Sequence, residues 1–292
     1  MNILKALFGS SDQTPEEAQQ SENDRQFELL KYDGVKAMKT GQADYAVRYF
    51  EEALRRKDDL EVRDYLSRVL AAQGNYAGAQ EQLQRLIDAQ PANKALPLQA
   101  ARVAEMAGDF QLMQQYCEQS LALDAGNPQA HFFAAKASQG SGNLVGAVAQ
   151  LTQCLVIDET MGDARLLRAQ LLLAMGDVAG SEADVRWLCE HAQPHEDVLL
   201  LAARIAAVQG KADEAIDLYT RVIDLNPFHA DAYRERGKQR LDKGDKQGAQ
   251  DDMAKVLELC PDEMTALTGD YTAEGIEQQV KRAYSMMNPF GI

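Results

Sequence analysis

Basic residues are in deficit: 30 Lys and Arg face 45 Asp and Glu in a chain of 292 residues, a formal net charge of −15. Nucleic-acid binders need basic patches that displace counterions from phosphates, so this balance argues against a nucleic-acid partner and disfavours anionic membrane surfaces. Long apolar runs are missing too. None reaches the roughly 18–20 residues of a membrane span. The apolar start from Ile3 to Phe8 is too short for a secretory signal and is followed by no small-residue cleavage site. Aromatics are only 7% of the chain, with one Trp, which suits helices packed through small side chains better than a β-sandwich. The four cysteines, Cys117, Cys154, Cys189 and Cys260, make no C-x-x-C pair. They read as free, buried thiols of a reducing compartment, so the expected location is the cytoplasm. No Gly-rich phosphate loop, nucleophile elbow or paired-carboxylate arrangement occurs, and neither enzymatic activity nor a cofactor is expected.

What the chain does have is a period. Gly41, Gly74, Gly108, Gly142, Gly176, Gly210 and Gly244 follow one another at spacings of 33, 34, 34, 34, 34 and 34 residues. Seven residues before each stands a small residue: Gly34, Ser67, Ala101, Ala135, Ala169, Ala203 and Gly237. Five residues after each come Ala46, Ala79, Met113, Ala147, Ser181, Ala215 and Ala249, small in all but Met113. Two antiparallel helices approach closely only where facing side chains are small. The glycine between them ends the first helix and permits the tight turn, because it alone takes positive φ without penalty. The apolar spacing is helical on both sides of the turn, as in Val62, Leu66, Val69 and Leu70, then Tyr76, Ala79, Leu83, Leu86 and Ile87. Pro91, Pro227 and Pro261 close second helices at equivalent places, and Pro194 does so one residue later.

These residues resemble the tetratricopeptide repeat (TPR) family. The likeness is densest from Gly210 to Pro227 (GKADEAIDLYTRVIDLNP) and reads Gly34, Gly41, Ala46, Phe50 and Ala53 in the first unit. It implies an all-α, right-handed superhelix of seven helix–turn–helix units: 27–59, 60–93, 94–127, 128–161, 162–195, 196–229 and 230–263. Residues 1–26 are expected to be a polar, acidic segment or short helix, with a capping-box start at Thr14-Pro15-Glu16-Glu17. Residues 264–292 are expected to supply a closing helix, with Ile276, Val280, Ala283, Tyr284 and Met287 at helical spacing, and a tail. The apolar Ile3 to Phe8 segment reads as a docking segment for a partner or for the chain's own groove. The early first-helix aromatic of the family is mostly missing, and Met113 overfills a small site, so the middle units are degenerate members.

The resemblance also implies that first helices line a concave surface. Counting each turn glycine as position fifteen, the ninth position reads Val35, Arg68, Arg102, Lys136, Gln170, Arg204 and Lys238. Five of these seven are basic in an otherwise acidic chain. The fifth position includes Leu98, Phe132, Leu166 and Leu200, which together suggest an apolar strip with basic rungs. Such a groove would hold a protein or peptide partner with apolar anchors and acidic groups. On the alternative reading, Arg and Lys are simply good helix formers, and Phe132-Phe133, Leu166-Leu167 and Leu200-Leu201 pack between units. The clamp by which some family members hold chaperone carboxyl termini is not matched: Lys31 fits, but Val35, Tyr65, Ala95 and Gln99 do not. An adaptor is therefore expected, with a self-associating structural protein or an accessory subunit of an enzyme complex as alternatives. His191 and His195, with Cys189 and Glu190, could make a metal site, but Pro194 interrupts the helix that would align them and an exposed loop is favoured. Asp and Glu are expected mostly at helix starts and on outer faces.

Overall fold

A glycine at φ 70–88° sits at all seven predicted turns. Around Gly74, the Gly74 amide donates to the Ala71 carbonyl and the Asn75 amide to the Leu70 carbonyl, at 3.0 and 2.9 Å. This paired closure satisfies the last carbonyls of a helix and reverses the chain, and it needs a left-handed residue at its centre. The residue after the glycine has a second task, which the glycine period alone does not reveal. Asn75, Asp109, Asn143, Asp177 and Asp245 each accept from the amide three residues on and so cap the next helix.

The computed structural model describes residues 14–191 and 195–260. The Ile3–Phe8 segment, Pro194, and the expected closing helix and tail at 264–292 lie outside the described residues. Among the described residues there are fourteen α-helices and no strand. They fall into two compact units that divide after Gly142.

The first unit holds α1 (Pro15–Lys39), α2 (Ala43–Arg56), α3 (Leu60–Ala72), α4 (Tyr76–Ala89), α5 (Ala95–Ala107), α6 (Phe110–Leu123) and α7 (Pro128–Gly140). Helix α1 starts on the Thr14 capping box, and it runs unbroken through the segment read as polar, so it is 25 residues long. One continuous apolar core includes Phe27, Phe50, Val62, Leu66, Leu83, Leu86, Met113 and Tyr116. The small-residue rule is visible where α1 crosses α2, because a methyl group on Gly34 would meet the Phe50 ring at 2.5 Å. Met113 is fully buried all the same, and α5 in the same unit offers Ala100, Ala101 and Ala104, all fully buried.

The second unit holds α8 (Leu144–Ile157), α9 (Gly162–Ala174), α10 (Val178–His191), α11 (Glu196–Val208), α12 (Ala212–Leu225), α13 (Ala230–Asp242) and α14 (Lys246–Leu259). At the α9–α10 crossing the small residue is Ser181, whose hydroxyl donates to the Ala169 carbonyl at 2.8 Å. Asp184, Glu235 and Asp252 are buried here, exceptions to the expectation that Asp and Glu lie mostly at helix starts and on outer faces. The Arg168 guanidinium grips Asp184 with two bonds of 2.8 and 2.7 Å and donates to the Thr152 hydroxyl at 3.3 Å. Two repeats on, Arg236 grips Asp252 at 3.1 and 2.6 Å and donates to the Thr220 hydroxyl at 3.0 Å. Each set ties the second helix of one repeat to both helices of the next. Arg165 and Arg240 add a second cation to Asp184 and Asp252 respectively. Arg165 also lies 3.9 Å from the centroid of the Trp187 ring, and His191 stacks on that ring at 4.1 Å.

The cysteines divide. Cys117 and Cys154 are buried as expected, but Cys189 is exposed and Cys260 is half-buried. Cys189 faces outward near the end of α10, where its neighbours Glu190 and His191 are exposed as well.

Candidate binding surface

The predicted rungs are charged residues on first helices, and what each can do depends on the carboxylates near it. Arg68 pairs with Asp64 one turn back on α3 at 2.6 Å. Lys136 on α7 pairs with Glu105 of α5 and lies 5.7 Å from the centre of the Phe132 ring. Arg204 on α11 binds both carboxylate oxygens of Glu235 on α13, at 2.6–3.1 Å. Lys31, outside the ninth-position ladder, pairs with Glu61 of α3 at 2.5 Å in the same manner. Three of the five basic rungs are thus satisfied within the chain, and those on Lys136 and Arg204 tie neighbouring first helices together.

Arg102 and Lys238 are different. Arg102 is exposed, has no carboxylate partner among the described residues, and rests 5.8 Å from the centre of the Phe133 ring. Lys238 on α13 is half-buried and makes no ion pair among the described residues. The apolar strip divides as well. Leu98 and Leu166 are half-buried against the cores of their units, and Phe132 is half-buried edge-on to Phe133 at 6.2 Å. Leu200 is 8% exposed and belongs to the core of the second unit, so it has almost no surface to offer a ligand.

Exposed apolar side chains also stand on these first helices. On α1, Leu29 and Tyr32 are 55% and 68% exposed and three residues apart, hence on one face. Met106 follows Arg102 by four residues on α5 and is 48% exposed. In the second unit a notch of about 130 Å³ is lined by Arg204, Ala207, Val208, Tyr219, Glu235, Lys238 and Gln239. Its floor is a saturated network: the Tyr219 hydroxyl donates to Glu235 at 2.9 Å while Arg204 holds the same carboxylate. Burial first, and the Glu235 charge second, push the Tyr219 phenol far above its ordinary range, so it stays a donor. Among the described residues no three His, Cys, Asp or Glu side chains converge as a metal site would require, and no helix is long and apolar enough to cross a membrane.

The sequence matches the family described as "Tetratricopeptide repeat" over residues 34–94, 66–128, 166–230 and 200–263. A relative, "Cellulose synthase operon protein C" of Pseudomonas fluorescens (strain SBW25), is 36% identical over 96 residues, which is 33% of this chain and 8% of that protein. The chain therefore spans a small part of the length of that relative. Among solved structures, a tetratricopeptide repeat protein from Parabacteroides merdae ATCC 43184 superposes with a TM-score of 0.65 at 18% identity, covering 90% of this chain and 100% of that one. YrrB, described as a TPR protein with an unusual peptide-binding site, superposes with a TM-score of 0.54 at 18% identity, covering 63% of this chain and 95% of that one. At these identities the structural likeness shows the fold.

Proposed function

Given that the chain belongs to the tetratricopeptide repeat family, we propose that it is a non-catalytic adaptor that holds a partner polypeptide against the first helices of its repeats. The fold supports a role in protein–protein interaction, as is general for these repeats. The observation that carries the reading is the company Arg102 keeps: an exposed guanidinium, without a carboxylate partner among the described residues, with exposed Met106 one turn along the same helix, in a chain that neutralises most of its other rungs. Arginine beside exposed apolar surface suits a polypeptide with apolar anchors and acidic groups. The reading places the adaptor in the cytoplasm, with no nucleic acid among its partners, and YrrB offers a precedent for peptide binding on this fold.

The test follows from which cations are free. Reversing Lys136 or Arg204 would set like charges against Glu105 or Glu235 and disturb folding, so Arg102→Glu and Tyr32→Ala are the useful variants. Proteins retained from native lysate are identified, and their segments are synthesised as a peptide array. The adaptor reading expects each variant to weaken array binding about tenfold, roughly 1.4 kcal/mol. Binding unchanged by both variants rejects the surface.

A second reading, self-association, is favoured by Val156 and Leu225 at the ends of α8 and α12 and by Phe228 in the turn after α12, 74%, 60% and 79% exposed. Light scattering over a wide concentration range decides it, since a constant monomer mass is incompatible with that reading.

A further inference from the structure

The notch between α11 and α13 has two cationic groups with capacity to spare. Arg204 spends its Nε and Nη2 on Glu235, and its Nη1 has no partner among the described residues. Lys238 lines the same notch and makes no ion pair among the described residues. Glu235 cannot answer either: one of its oxygens takes two bonds from Arg204, and the other takes one from Arg204 and one from Tyr219. The lining therefore carries two cations and one anion, the anion already saturated, and the further carboxylate that acts on Arg204, Asp231, is itself paired with Arg234. Ala207 and Val208 give the lining its apolar part, and Gln239 completes it.

We propose that this notch is a seat for a single carboxylate, with the glutamate side chain of a partner polypeptide as its ligand. The carboxylate would lie between Lys238 Nζ and Arg204 Nη1, and its methylenes would cover Ala207 and Val208. The local charge excess selects an anion, and the planar donor of Arg204 suits a carboxylate. The saturated Glu235 fixes the Arg204 fork in place before the ligand arrives, so little ordering cost falls on binding. A recess of about 130 Å³ is on the scale of one side chain. The seat rests on the adaptor reading, since it would read one acidic residue of the bound partner.

The 292-residue chain, labelled with nitrogen-15, is titrated with three small probes: acetyl-glutamate amide, acetyl-glutamine amide and acetyl-valine with a free carboxylate. The expected result is a saturable shift of the Ala207, Val208, Lys238 and Gln239 amides with the first probe. That shift should be at least tenfold weaker with the neutral glutamine probe, and diminished by added salt. Lys238→Gln, which leaves the buried Arg204–Glu235 pair intact, should weaken the glutamate probe about tenfold, while Arg186→Gln on α10 should leave it unchanged. Equal shifts from the glutamate and glutamine probes overturn the seat, as does an unchanged affinity in Lys238→Gln. Stronger binding of the acetyl-valine probe overturns the side-chain assignment in favour of a chain terminus. The outcomes separate from those of the adaptor test, because small probes report the notch whether or not peptides bind Arg102 and Tyr32.

Discussion

Eight residues after the turn glycine, the two units bury different chemistry at the same register. In the first unit the fully buried case is Tyr116, 4% exposed, whose hydroxyl reaches Gln84 at 3.3 Å, with Tyr49 and Gln82 half-buried in the other repeats. In the second the buried cases are Asp184 and Asp252, each clasped by two arginines, with Gln150 and Leu218 half-buried. A ring gains from leaving water; a carboxylate loses, and stays buried only because its partners repay the desolvation. One backbone frame therefore accepts either solution, and the two should respond differently to mutation.

The largest expected effect comes from breaking one clasp. Asp252→Ala leaves Arg236 without its counter-charge in a buried site, and should cost about 3–5 kcal/mol of stability. The double variant Arg236→Met, Asp252→Leu should recover most of that loss. Urea unfolding followed by circular dichroism measures both; a double variant as unstable as the single one would show that the charges themselves are needed. Next in size is Gly34→Ala in the first unit. The added methyl would press on the Phe50 ring and should cost about 1–3 kcal/mol. Phe50→Leu in the same chain should give back part of it, and strict additivity of the two changes would contradict the packing described.

Smaller effects concern reactivity and acid. Burial pushes the Cys117 thiol up to about 12 and the Cys154 thiol up to about 11. Burial raises the Cys189 thiol as well, but Cys189 is exposed, so at mildly alkaline pH it should be alkylated before Cys117 and Cys154, which stay protected until the chain unfolds; peptide mass mapping after timed alkylation gives the order. The smallest effect separates the units by charge at the surface. Hydrogen bonds from Lys31 and then Tyr65 hold Glu61 below the usual carboxylate range, and one from Arg63 does the same for Asp58. A lowered folded value means that this stabilisation is complete above the unfolded carboxylate range, about pH 4–4.5, and is lost as pH falls through the folded value. Both groups are exposed, so Glu61→Gln should shift acid unfolding of the first unit only slightly, and a change confined to the second unit would speak against the assignment.

The turns were legible in the sequence because positive φ is a demand that few residues other than glycine meet, so seven of them kept register. The small residues at the crossings were legible for the same kind of reason, as Gly34 against Phe50 illustrates. The charge pattern was not. Arg68, Lys136 and Arg204 share a register position, but their carboxylate partners do not: Asp64 lies on the same helix, Glu105 on the preceding first helix and Glu235 on the following one. No fixed spacing marks which rung is spent and which is free. The buried clasps did leave a trace, since Arg168 and Asp184 stand 16 residues apart, as do Arg236 and Asp252, 68 residues later. Reading it required setting aside the rule that charge belongs outside.

Trp187, stacked between other commitments in α10, is the chain's one indole. Its emission is accordingly a spectroscopic address. A denaturation curve followed by tryptophan fluorescence reports the second unit and is blind to the first, whereas helical ellipticity sums over both. If the two units melt apart, those signals will part company without any label being added to the protein.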